Sequence, residues 1–202
     1  MKKQMISYTL IGIVAILIIV FLLARNSSSK KDTTQKATNN SEKSKETTLK
    51  DNPYLDMRNM ALSITSEQLG LPASEDAAKV FGVVADLDMT GATVTLTSYI
   101  TGDTSLYLST GGGFIGAGQH EDVQKVVKKF IEKAQTYSSK GKQYESTELP
   151  KAGTANFYFL SDSGNTKIVE TLSNLESGNS EYSDLFYELN QVMTAIRLQS
   201  GD

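Results

Sequence analysis

The sequence predicts an α+β chain. An N-terminal transmembrane helix and a disordered tether lead into a five-stranded, mostly antiparallel sheet packed with about three helices. Three observations carry this expectation. Strand-like runs are joined by connections too short for a parallel crossover, so neighbours pair antiparallel. A strongly amphipathic stretch separates three strands from two more, and a second such stretch closes the chain. An uncharged aliphatic run precedes everything else.

That run, "ISYTLIGIVAILIIVFLLA", extends from Ile6 to Ala24. It is close to the roughly 20 residues that span a bilayer as a helix. Lys2 and Lys3 precede it; Arg25, Lys30 and Lys31 follow. The continuation "FLLARN" lacks the small residues of a cleavage site, so residues 1–25 read as an uncleaved signal anchor. Positive charge is nearly balanced across the run, but a very short N-terminal tail favours the cytoplasmic side. The expected location is the cell membrane, single-pass, with the bulk of the chain extracytoplasmic. Residues 26–52 are Ser, Thr, Lys and Asn with almost no large apolar side chain, and are expected to be a disordered polar linker.

Residues 53–202 form the expected globular domain. Pro53 suits a first helical turn, with Leu55, Met60, Ala61 and Ile64 at helical spacing. "KVFGVVADLDM" is apolar on both faces, as a central strand would be. In "TVTLTSYI", Val94, Leu96 and Ile100 alternate with Thr93, Thr95, Thr97 and Tyr99, which predicts a half-buried strand. "TSLYLST" makes a third strand with Leu106 and Leu108 inward. From Gln119 to Lys140, Val123, Val127, Phe130, Ile131 and Ala134 form one stripe of a long helix, which Gly141 is placed to end. "TANFYFL" and "NTKIVETL" are the last strands, and Leu185, Leu189, Val192 and Ile196 mark a closing helix. The layout resembles profilin-like folds of the roadblock and longin kind, in its inventory of elements alone.

The glycine-rich stretch "STGGGFIGAGQHEDV" raises the sharpest question of function. Gly111, Gly113 and Gly116 have the G-x-G-x-x-G spacing of a dinucleotide cradle, with a strand before and a helix after. The acidic residue expected about 20 positions on is missing from a strand end, because Glu132 lies within the amphipathic helix. A phosphate loop also lacks its lysine: Gln119 and His120 follow Gly118. Glu121 and Asp122 occupy the helix start and repel an incoming phosphate. Two readings remain: a strand-to-helix connection anchored by Phe114 and Ile115, or a recognition loop that presents them to a partner. The candidate ligand or partner loop is Gly111, Gly112, Gly113, Phe114, Ile115, Gly116, Gly118 and His120.

Other chemistry is thin. With no cysteine and one histidine, thiolate catalysis and cysteine-based zinc or iron–sulfur sites are excluded. Ser109 or Thr110 with His120 and Asp103 could supply a nucleophile, base and acid, but no G-x-S-x-G elbow supports that set. Asp86 and Asp88 begin a D-x-D-x-x-G pattern and are weak cation candidates; Thr97 stands where a calcium loop has glutamate. Lys125, Lys128, Lys129 and Lys133 form a solvated helix face. A net charge of −3 gives no support for a nucleic-acid partner.

No cofactor and no catalytic set are expected. The chain reads as a membrane-tethered, non-catalytic binding domain at a bacterial-type cell surface, held to the membrane through residues 6–24. Its partner is expected to be a protein, with self-association open. Two alternatives stand beside it: a small-molecule or nucleotide-binding domain using the Gly111–Gly118 loop, and a hydrolase whose site the sequence does not disclose.

Overall fold

The computed structural model describes residues 52–199, so the expected anchor and tether lie outside the described residues. Among the described residues, no helix is long and apolar enough to cross a membrane. Helix α1 (Pro53–Ser63) begins on an Asn52 cap whose side chain accepts the Leu55 N–H, with proline in the first turn. Strands β1 (Val80–Met89), β2 (Ala92–Tyr99) and β3 (Thr104–Leu108) form a meander. A two-residue strand β4 (Gly113–Phe114) and a 3₁₀ turn (Ala117–Gln119) lead into α2 (Glu121–Ser138). Strands β5 (Thr154–Ser161) and β6 (Thr166–Thr171), a short α3 (Leu172–Ser177) and α4 (Ser183–Gln199) complete the order.

All six strands belong to one sheet in the order β4-β3-β2-β1-β5-β6, and every neighbouring pair is antiparallel. The expectation of an antiparallel sheet with β1 central therefore holds, while among the described residues the count rises from five strands to six and from three helices to four. The extra strand comes from inside the glycine loop, where two residues pair back onto β3. The extra helix begins at Leu172, which sequence alternation had assigned to the preceding strand; Thr171 caps it by accepting the Asn174 N–H.

The main core lies between one sheet face and the pair α2 and α4. Val83, Ala85 and Leu87 of β1 and Phe157 and Phe159 of β5 meet Val127 and Phe130 of α2 and Leu189 and Val192 of α4. A register shift between Val80 and Gly82 puts Val80 and Val83, three positions apart, on that same face. The opposite face is covered as well. Ala61 and Leu62 of α1 pack with Phe81, Val84, Tyr99, Tyr158 and Leu160 in a second cluster. The expectation that β2 is half-buried is thus corrected: Thr95 and Thr97 are as buried as Val94 and Leu96, because α1 closes over them.

Candidate functional site

The glycine stretch does not run straight from strand to helix. After β3 the backbone reverses: Gly111 N–H donates to Leu108 C=O at 2.9 Å and Leu108 N–H to Gly112 C=O at 3.1 Å. Gly113 then pairs with Tyr107, and Phe114 with Leu106. Two glycines are demanded by space. A Cβ on Gly113 would lie 2.1 Å from Leu106 O, and one on Gly118 would lie 2.3 Å from Gly102 O. Gly116 is left-handed and donates its N–H to Ser105 Oγ at 3.1 Å. These glycines serve a β-hairpin and a close-packed turn, which accounts for their spacing without a phosphate.

The hairpin separates its two apolar residues. Phe114 is half-buried against the main core. Ile115 is 75% exposed. It lines a shallow groove of about 280 Å³ together with Met57 and Met60 of α1 and the following Ile64. Tyr99, Tyr107 and Asp103 contribute to the rest of the lining. Met60 is 69% exposed, so both lips of the groove are apolar and wet.

Beneath the groove's α1 wall lies a buried polar chain that sequence reading missed. Asp86 on β1 stands opposite Thr95 on β2 and Asn156 on β5. Arg58 of α1 reaches it with Nε at 3.0 Å and Nη2 at 2.6 Å from Oδ2. Both residues are almost wholly removed from water. Thr95 donates to Asp86 Oδ1 at 2.6 Å, and since that hydroxyl has one proton, Tyr54 must be the donor in its 2.9 Å bond to Thr95. Arg58 Nη2 also donates to the Tyr158 hydroxyl at 3.1 Å, which donates to Glu148 C=O at 3.2 Å. Burial pushes the Tyr158 hydroxyl up to about 12, reinforced by the nearby Asp86 charge. Tyr99 donates to Ala61 C=O at 3.2 Å, and burial raises its pKa too. The signal that could have revealed this was a lone aspartate in the apolar run "VFGVVADLDM", with Tyr54 and Arg58 four apart on one helix face.

The remaining sequence candidates are dispersed. Asp86 is committed to Arg58, and Asp88 accepts the Gly153 N–H at 2.7 Å, so the two do not form a cation site. Among the described residues, no group of three or more His, Asp or Glu side chains converges as metal ligands would. Ser109 Oγ accepts the Thr93 N–H at 2.8 Å, and Asp103 accepts from Thr101 at 2.7 Å. His120 is exposed at the N-terminus of α2 and makes no side-chain cap bond, so no relay joins it to Ser109. His120 itself occupies the cap position of α2. Lys125 pairs with Glu121 at 3.0 Å, keeping the start of that helix face self-neutralised.

Comparison with protein-family models, with curated proteins and with solved structures finds no match.

Proposed function

We propose that the chain is a membrane-tethered, non-catalytic binding module that displays the α1–hairpin groove to a protein partner on the extracytoplasmic side. One observation carries the reading: Ile115 and Met60, both largely exposed, line one groove whose backbone is firmly held. Exposed apolar side chains in one groove keep hydrocarbon in water unless something covers them. The Ile115 lip rests on a hairpin fixed by ladder pairing, and the Met60 lip on a helix fixed by a buried ion pair. Apolar side chains held on a rigid scaffold suit recognition, and methionine adapts its shape to a partner.

Asp103 is the charged residue in the lining. The occupant that fits is therefore an apolar side chain next to a basic one on a partner protein. The membrane tether rests on the aliphatic run from Ile6 to Ala24.

A photo-reactive side chain placed at Ile115 tests the reading in membranes of cells that make the full chain. The expected result is a discrete adduct with a second protein, lost when Met60→Asp is added. A self-adduct alone would reassign the groove to a dimer contact. No adduct above that of the same label at Leu198, an exposed position on α4, would remove the reading.

A further inference from the structure

A second cavity, of about 430 Å³, lies over the outer edge of β6, among described residues that the proposed groove does not use. Its volume falls within the range of small-ligand sites, about 300–1,000 Å³. Lys140, Lys142 and Lys167 line it, together with Tyr144, Tyr182 and Val169. The arrangement of two of these lysines is costly. Lys142 and Lys167 form an antiparallel bridge, with Lys167 N–H donating to Lys142 C=O at 2.8 Å and Lys142 N–H returning the bond at 3.0 Å. Residues directly opposite in such a bridge place their side chains on one face, about 5.5 Å apart, and like charges there repel.

The Tyr158 ring and the more distant charges of Asp86 and Glu148 offset part of that repulsion at Lys167. Among the described residues, neither Lys142 nor Lys167 has a carboxylate at ion-pair distance. Lys140 does, through Glu181. Lys167 is half-buried, sits 5.0 Å from the centre of the Tyr158 ring, and burial lowers its pKa. Val169, two positions along the same edge, directs its backbone N–H outward like that of Lys167, and its side chain is 56% exposed.

We infer that this cavity is a binding site for a phosphate-bearing anion, held between the ammonium groups of Lys142 and Lys167. The donor set favours phosphate over carboxylate. Lysines act as point charges with freely rotating donors, while planar two-point recognition of carboxylate favours the arginine fork, and no arginine lines the cavity. The phosphate could belong to a soluble ester or to a lipid headgroup; the chemistry at the lysines is the same.

Acylation of individual lysines by an amine-reactive ester, read by peptide mass spectrometry, tests the site on the full chain reconstituted in phosphatidylcholine vesicles. One arm adds inorganic phosphate at constant ionic strength, and the other replaces part of the lipid with phosphatidic acid. Lys142 and Lys167 are expected to be protected about tenfold, the effect of a single good contact, while exposed Lys128 on α2 is unchanged. Protection by inorganic phosphate identifies a soluble anion, and protection by phosphatidic acid alone identifies a headgroup; both support the site. Equal protection of Lys128, or none at Lys142 and Lys167, overturns it. Lys142→Gln gives the second check. It removes a like charge, so the melting temperature should hold or rise while protection of Lys167 is lost. A fall in melting temperature with protection of Lys167 retained would make the bridge merely structural.

Discussion

Asp86 shows how one side chain can set the environment of a whole face. It lies at the centre of the sheet, where ladder neighbours on both sides leave no route to water. A carboxylate there must be paired, because burying an isolated charge costs far more than a fold can spare. Arg58 supplies the pair and also donates to the Tyr158 hydroxyl, while Thr95, itself bonded to Tyr54, donates to the other carboxylate oxygen. Such a pair contributes little net stability compared with hydrocarbon of the same shape, but removing one partner is severe. Arg58→Ala is therefore expected to destabilise by about 3–5 kcal/mol in denaturant unfolding of the full chain. The double change Arg58→Met with Asp86→Leu should recover most of that loss, to within about 1–2 kcal/mol of the parent. A double variant as unstable as the single one would show that the pair itself holds α1.

Elements differed in how far their sequences disclosed them, and the difference follows from what each pattern encodes. The stripe in α2 and the apolar run of β1 were legible because their periods match one face and two buried faces respectively. β4 was not: a two-residue strand has no period, and its identity depends on pairing with Tyr107 and Leu106. The threonine face of β2 looked solvated because threonine alternation cannot say whether a helix covers it. In the candidate site, the sequence identified the glycine loop and the pair Phe114 and Ile115. It could not say which of the two was exposed, since that depends on the hairpin reversing before the helix begins. The reason for the glycines is itself testable. Gly113→Ala and Gly118→Ala force a methyl into backbone oxygens and should each cost about 1–3 kcal/mol or more. Gly111→Ala meets no atom within 4 Å and bears only the strain of its positive φ, about 1–2 kcal/mol. Thermal melts of the three variants check the order. Gly111→Ala as the most damaging of the three would return the loop to a role set by conformation rather than by packing.

For the molecule as a whole, α1 is the element on which the second face depends, and three tyrosine hydroxyls help stitch it down. Tyr54 donates across to Thr95, Tyr99 donates back to the Ala61 carbonyl, and Tyr158 accepts from Arg58. Burial raises the pKa of all three above the ordinary tyrosine value, Tyr158 to about 12. The sign follows from proton counting. Below about pH 10, folded and unfolded chains both keep these protons, and stability does not depend on them. Between about 10 and 12 the unfolded chain gives up protons that the folded one retains, so stability falls as pH rises. Ionisation also removes the donors at Tyr54 and Tyr99 that hold the first and last turns of α1 against β2. Alkaline titration should therefore show a late phenolate step, in which Tyr54, Tyr99 and Tyr158 ionise together with loss of the near-ultraviolet tyrosine dichroism. Tyr54→Phe should move that step to lower pH, since Thr95 loses a donor and α1 a fixed point. A single phenolate step near pH 10 with dichroism intact would mean that the hydroxyls are open to water and that apolar packing alone holds α1.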